Sequence, residues 1–275
     1  MTPPRGHHIH ANGIRQHYLH YPGAGPALVL VPGIVSPAML WDHVGRWLGE
    51  HYNCFIVDVR GRGLSESGPL LDYGLDNCAA DTLALVRALG LSRPIMVGHS
   101  MGARILLRAH RQAPALLGQL VLLDPPTSGP GRRPYPVPMA RTLALVQAAQ
   151  RGEAEPLLRQ PGPSPWPEHL LLLRAQWLAT CDTRAIEAAY ADFEGQDLFA
   201  DLALVRMPLA LICAGLGDVV SDADLQEMLR LQPRMHTLRI PETGHQMQAE
   251  NFVGFCQVLG QALEHVQTPS KENTP

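Results

Sequence analysis

The pentapeptide at residues 98–102, Gly-His-Ser-Met-Gly, lies between a short apolar run and a stretch with helical periodicity. The apolar run is 93–97, and the helical stretch is 103–110. A serine on a tight strand-to-helix turn projects its Oγ out of the backbone, and the following helix aims free N–H groups at any anion formed there. The pattern predicts that Ser100 is a nucleophile in an α/β fold. The alternative is that this serine only caps the helix.

Composition excludes several classes of protein. The chain has 275 residues, of which 46% are hydrophobic, enough for one large domain with an insertion. Its net charge of −3 argues against a nucleic-acid-binding protein. No apolar run approaches the ~20 residues of a membrane span, and residues 1–6 lack the apolar region of a secretory signal. The five cysteines are odd in number and widely spaced, which argues against a disulfide framework. We therefore expect a cytoplasmic protein with no membrane partner, and the sequence leaves its oligomeric state open.

The order of apolar runs predicts a mostly parallel, twisted sheet flanked by helices. An Asn-Gly turn at 12–13 predicts a hairpin from 7 to 19. We interpret His7, His8 and His10 as alternating residues of an exposed strand rather than as a metal site. Further strands are expected at 27–31, 54–57, 95–97, 120–123, 208–213 and 236–240, with helices at 39–50, 75–89, 104–112 and 248–265.

A proline-rich stretch interrupts this rhythm at 125–138, and helical patterns follow at 139–151, 168–179 and 183–190. We therefore expect a core domain from 1–126 and 206–266. A helical cap at 127–205 would lie between two sheet strands, and a disordered tail would occupy 267–275.

A serine nucleophile needs a base and an acid that orients the base. His245 lies in a loop between the last strand and the last helix, and it is the expected base. Asp124 and Asp218 each follow a sheet strand, so either could reach its Nδ1, and spacing does not decide between them. Asp222 and Asp224 are interpreted as helix N-caps.

The expected oxyanion hole consists of two backbone N–H groups. One belongs to Met101, the residue after the nucleophile. The other belongs to Ile34, in the Pro-Gly-Ile loop at 32–34 after an early strand.

Ser100, His245, the Pro-Gly loop and the motif at 58–65, Asp-Val-Arg-Gly-Arg-Gly-Leu-Ser, together resemble the α/β-hydrolase superfamily. The resemblance covers nearly the whole chain and implies the α/β-hydrolase fold, with the segment 125–205 as its cap. Many members have His-Gly where this chain has Pro-Gly, a change that removes a side chain but keeps the backbone donor.

Three further segments, 35–41, 124–126 and 129–136, resemble the N-formylmaleamate deformylases of nicotinic acid degradation. That resemblance implies an amidohydrolase that releases formate and maleamate without a metal or organic cofactor. It also implies Asp124 as the acid.

A small anionic amide substrate would need a cationic partner for its carboxylate. Arg132 and Arg133, adjacent at the entrance to the expected cap, are the candidates, with a solvated hinge as the alternative. Trp41 could line the pocket or belong to the core. The competing functions are an esterase or lactonase, a C–C hydrolase of ring-cleavage products, and a non-catalytic ligand receptor on the same fold.

Overall fold

A computed structural model describes residues 4–159 and 166–268. Within them, eight strands form one sheet in the order β1-β2-β4-β3-β5-β6-β7-β8. The strands are β1 (Arg5–Ala11), β2 (Ile14–Tyr21), β3 (Ala27–Val31), β4 (Asn53–Val57), β5 (Ile95–His99), β6 (Gln119–Leu123), β7 (Leu209–Ala214) and β8 (His236–Ile240). β2 runs antiparallel to β1 and β4, and the remaining pairs are parallel.

Helices cover both faces of the sheet, which explains why its central strands are continuous apolar runs. Successive residues of β3 alternate between two apolar clusters, with Val29 in one and Leu28 in the other. The helices are α1 (Asp42–Leu48), α2 (Leu75–Ala88), α3 (Met101–Gln112), α4 (Met139–Gln150), α5 (Ala154–Leu158), α6 (Glu168–Trp177), α7 (Thr183–Gly195), α8 (Leu198–Leu202), α9 (Asp222–Leu231), α10 (Met247–Glu250) and α11 (Phe252–Gln267).

The helices α4 to α8 all lie between β6 and β7, where the sequence analysis expects a helical insertion. Buried residues of α4, α5, α7 and α8 share one apolar cluster with α2 and α3, whereas Leu173 and Trp177 of α6 pack against the other cluster. The short helices α5 and α8 were not expected from periodicity, because five residues are too few to reveal it.

Three expectations about helix ends were wrong. The last helix is broken at Asn251, whose side chain accepts a hydrogen bond of 3.0 Å from the Gly254 N–H and caps α11. Ser221, rather than Asp222 or Asp224, is the N-cap of α9, and Asp224 completes its capping box. Gln267 is the last residue of α11 rather than part of a disordered tail; residues 269–275 lie outside the described part of the chain.

The hairpin expected around the Asn-Gly turn is confirmed, with β1 and β2 paired from Arg5 to His20. Among the described residues, no group of three or more His, Cys, Asp or Glu side chains could hold a metal ion. No helix in the described ranges is long and apolar enough to cross a membrane. All five cysteines are buried free thiols.

Candidate active site

Ser100 occupies the turn between β5 and α3 in a strained backbone conformation, with φ of 54° and ψ of −120°. Such a turn lets the strand pass into the helix within one residue. A Cβ on Gly102 would lie 1.9 Å from the carbonyl oxygen of Val31, so only glycine fits where α3 crosses β3. The sequence therefore forms the elbow that its glycine spacing predicts.

The Ser100 hydroxyl is enclosed. The residue is 1% exposed, and its Oγ has no hydrogen-bond partner in the described part of the chain. A Ser–His hydrogen bond is thus not formed in this state, as is common before a substrate binds. The phenol of Tyr135 lies in the same enclosure: burial raises its pKa, and the Ser100 hydroxyl acts against that shift.

His245 pairs with the buried carboxylate of Asp124 at the carboxyl ends of the strands. His245 Nδ1 lies 2.7 Å from Asp124 Oδ2, and the carboxylate is only 1% exposed. Because a carboxylate accepts, Nδ1 carries the proton, which leaves Nε2 free to act as a base. The backbone N–H of Ser100 bonds to the carbonyl oxygen of Leu123 at 2.8 Å, so the serine and Asp124 lie on adjacent chain segments.

Asp218, the alternative acid, is placed differently. Its side chain is exposed in the loop after β7, whereas Asp124 lies at the end of the central strand β6. Asp124 also accepts a hydrogen bond of 3.3 Å from the Ala214 N–H, which ties its carboxylate to β7. The geometry therefore favours Asp124 as the partner of His245.

His99, the residue before the serine, contacts the His245 loop. Its Nε2 lies 3.0 Å from the carbonyl oxygen of His245, and the two imidazole rings are 4.7 Å apart. Burial lowers the pKa of His99 to about 3, with a further contribution from the charge of His245. His99 is therefore neutral, and its Nε2 is the donor to the carbonyl.

The residues that carry the two expected oxyanion donors lie on segments next to Ser100. Met101 is the first residue of that helix, so its N–H has no partner within the helix. The loop that carries Ile34 passes beside the serine, since a Cβ on Gly33 would lie 3.2 Å from the Ser100 Cβ. That both N–H groups face one oxyanion stays a prediction.

Arg62 contacts both residues that carry the expected donors. Its Nε donates to the carbonyl oxygen of Ile34 at 2.7 Å, and its Nη2 lies 3.5 Å from the Met101 Sδ. The same guanidinium donates to the carbonyl oxygens of Arg60 at 2.8 Å and Ala185 at 2.9 Å. Arg62 is fully buried and forms no ion pair in the described ranges, and its guanidinium donates mainly to carbonyl oxygens near the site.

Arg132 and Arg133 are both engaged by acidic groups of α9. Arg132 forms a bidentate pair with Glu227, at 2.8 and 2.9 Å, and its Cζ lies 3.6 Å from the centre of the Phe199 ring. Arg133 pairs with Asp224 at 2.8 Å. These contacts brace the segment after β6 against α9, so neither guanidinium is available to a substrate in this structure.

Trp41 belongs to the core rather than to an accessible pocket wall. It is 0% exposed, and its indole N–H donates to the Ser36 Oγ at 2.8 Å. Its ring lies 5.2 Å from that of His99. Trp41 therefore supports the imidazole that contacts the His245 loop.

The structure adds Tyr135, Arg62 and His99 to the residues that the sequence singled out as chemically active. Tyr135 lies inside one of the segments that resembles the deformylases, and Arg62 lies inside the 58–65 motif. Membership in these motifs was the sequence signal by which Tyr135 and Arg62 could have been found. Their contacts depend on how distant segments pack, which spacing does not reveal.

Comparison with known proteins agrees with this geometry. The profile of the alpha/beta hydrolase family matches residues 28–253. N-formylmaleamate deformylase from Pseudomonas putida is 45% identical over 260 residues, which cover 94% of this chain and 97% of that protein.

Solved structures show the same relationship. The crystal structure of an N-formylmaleamic acid deformylase from Pseudomonas putida superposes with a TM-score of 0.88 at 41% identity, over 93% of this chain and 100% of the other. E-2-(acetamidomethylene)succinate hydrolase shares the fold, with a TM-score of 0.78 at 22% identity over 95% of this chain and 99% of the other. The chain therefore belongs to the alpha/beta hydrolase family.

Proposed function

We propose that this protein is a cofactor-independent serine hydrolase that converts N-formylmaleamate and water to formate and maleamate, a step of nicotinic acid degradation. The observation that carries the proposal is the 45% identity to N-formylmaleamate deformylase along nearly the whole of both chains. The Asp124–His245 pair beside a buried elbow serine supports the same reaction class.

The proposed reaction begins at the formyl carbon. Ser100 Oγ attacks that carbon while His245 Nε2 takes the hydroxyl proton. The carbonyl oxygen becomes an oxyanion that accepts hydrogen bonds from the N–H groups of Ile34 and Met101. Asp124 holds the imidazolium in place and stabilises its charge.

Collapse of the tetrahedral intermediate breaks the formyl C–N bond. His245 returns the proton to the departing nitrogen, which leaves as the amide of maleamate, and the formyl group stays on Ser100 as an ester. Because this nitrogen is conjugated to a second carbonyl, it leaves more easily than that of a simple amide. Water then attacks the ester, His245 takes its proton, and formate and the free serine are released.

Residues 127–205 act as a cap in this proposal. Tyr135, from the start of that segment, packs against Tyr190 and Phe193 of α7, with ring centroids 5.7 and 5.0 Å away. Of these three rings, Tyr135 interacts with the Ser100 hydroxyl. An enclosed site suits a substrate as small as an N-formyl amide and strengthens the electrostatic interactions within it.

A direct assay tests the proposal. Purified protein is mixed with N-formylmaleamate, and formate is measured with formate dehydrogenase. A p-nitrophenyl ester series serves as the comparison. We expect equimolar formate and maleamate, with kcat/KM well above that for any ester. Efficient ester or lactone turnover without formate release would instead indicate an esterase, and no turnover of either class would favour a ligand receptor.

A further inference from the structure

A buried substrate carboxylate needs a cation, and this requirement follows from the proposed function. The two arginines that the sequence favours for the task are held by Glu227 and Asp224. Two other buried arginines already donate to several backbone carbonyl oxygens, although the Nε of Arg104 has no partner in the described ranges. Arg62 donates to three carbonyl oxygens, and Arg104 donates to those of Pro126, Ser128, Asp192 and Gln196. The carboxylate partner must therefore be sought elsewhere.

Arg174, on α6, has a guanidinium group with no such partners. Within the described ranges it forms no ion pair and no hydrogen bond, and its Nε is buried without a partner. Its Cζ lies over the Trp166 ring, 4.5 Å from the centroid, a stacking contact that leaves the N–H edges of the guanidinium available. Burial lowers the pKa of Arg174 to about 10, so the group still carries its charge at neutral pH.

The position of α6 directs this guanidinium toward the junction of cap and core. Leu170 and Leu178, four residues to either side of Arg174, are both buried, so Arg174 shares their inward face. On the neighbouring face, Leu173 and Trp177 pack against the cluster that contains Trp41. The helix thus packs against the segment Ala38–Trp41, which precedes α1.

Two ionisable groups act electrostatically on Arg174. One is Glu250, whose carboxylate accepts the N–H of Gly244 at 2.5 Å, immediately before His245. The other is Cys181, whose thiol also interacts with Arg62 beneath the oxyanion loop. Arg174 is therefore within electrostatic range of one residue that contacts the His245 loop and of one that also interacts with Arg62.

We propose that Arg174 binds the carboxylate of a small anionic acyl substrate and thereby selects such substrates over neutral ones. A planar guanidinium can hold a carboxylate through two parallel N–H···O bonds, and a cation in an enclosed site has few competing partners. In the proposed reaction, that contact would fix the maleamate end of the substrate while the formyl carbon faces Ser100. The proposal rests on the proposed function for the identity of the substrate. The preference for a negatively charged substrate is inferred from Arg174 itself.

The test compares Arg174→Gln, Arg174→Lys and the control Arg184→Gln, an exposed cap arginine paired with Asp182. One readout is KM for N-formylmaleamate and for its neutral methyl ester. A second is the inhibition constant of maleate against hydrolysis of p-nitrophenyl acetate. Arg174→Gln should raise KM for the anion and the maleate inhibition constant by about 10- to 100-fold. Lysine should rescue part of this loss, and the values for both neutral substrates should stay near those of the parent and of Arg184→Gln.

Equal losses on anionic and neutral substrates would contradict the proposal, because they would mark a general structural effect. The proposal would also be contradicted if maleate did not inhibit the parent enzyme, or if Arg174→Gln left the maleate inhibition constant unchanged. It would likewise be contradicted if Arg132→Gln, and not Arg174→Gln, selectively lost activity on the anionic substrate. Failure of the proposed function is a separate outcome: in that case the parent enzyme would release no formate from N-formylmaleamate. The maleate measurement tests Arg174 in either case.

Discussion

The carbonyl oxygen of His245 accepts a hydrogen bond of 3.0 Å from Nε2 of His99. The residue that precedes the nucleophile thus holds the backbone of the residue proposed as its base. Because β5 fixes His99 and the loop after β8 carries His245, the contact couples two segments that are far apart in sequence. His99 is a positioning residue in this account, since it touches neither substrate nor reacting atoms.

Replacing His99 with phenylalanine should lower kcat about fivefold with little change in KM. The ring volume is retained, but the His245 carbonyl loses a neutral hydrogen bond worth about 1 kcal/mol. Glutamine, whose side-chain amide can donate to the same carbonyl, should recover part of the rate. Steady-state kinetics of the three proteins check this, and a glutamine variant no better than phenylalanine would contradict the positioning role.

His99 should also make the fold sensitive to acid. Its pKa is lowered from 6.5 to about 3 by burial, so below pH 6.5 the unfolded chain binds a proton that the folded chain does not. This site alone should therefore lower the free energy of unfolding by about 1.4 kcal/mol for each unit by which the pH falls.

The stability that depends on a neutral His99 is fully present above pH 6.5 and is lost progressively as the pH falls to about 3. Urea unfolding at neutral pH and at about pH 5 measures the slope. In His99→Phe, the decline over this interval should be smaller than in the parent by the contribution of one histidine. Equal slopes would show that the group does not stay neutral in the folded protein.

Asp124→Asn should reduce kcat by about 10⁴, the magnitude known for the equivalent change in serine proteases. An asparagine cannot balance the imidazolium charge and can hold the wrong tautomer of His245. Asp218→Asn is the matched control, because Asp218 is exposed in the loop after β7 and should tolerate the change. If Asp218→Asn caused the larger loss, the assignment of the acid would be wrong.

Arg62→Met should lower kcat by about tenfold or more, approaching the 10²–10³ of a lost oxyanion donor, with KM nearly unchanged. The substitution releases the Ile34 carbonyl and removes a buried positive charge near the oxyanion. Arg104→Met is the comparison, because it also removes a buried, carbonyl-bonded arginine but leaves Ile34 in place. If both variants lower Tm to a similar extent but Arg62→Met loses much more kcat, Arg62 supports the oxyanion donors. Equal losses of kcat in the two variants would refute that role.

Local patterns sufficed for the elbow, the hairpin and most strands, because each depends on neighbouring residues. The pair Asp124 and Asp218 shows the limit of that reasoning. Both follow strands, and only burial and the contact with His245 separate them. The resemblance to the deformylases favoured Asp124 where spacing could not.

The arginines show the same limit more strongly. Arg132 and Arg133 were attractive because they are adjacent and near the expected cap entrance, yet packing pairs them with acidic residues of α9. Arg174 has no motif around it, and its unpartnered guanidinium follows from how α6 lies on the core. Such long-range packing leaves no signature in the local sequence.

Covalent labelling of the protein with a small fluorophosphonate tests the central claim, that Ser100 is the nucleophile, most directly. The reagent should modify one site per chain, and mass spectrometry should locate it in the tryptic peptide 88–104, on Ser100. Labelling should be absent in Ser100→Ala and slowed in His245→Ala, because the serine hydroxyl needs the base to become nucleophilic. A label on another residue, or undiminished labelling of Ser100→Ala, would contradict the account.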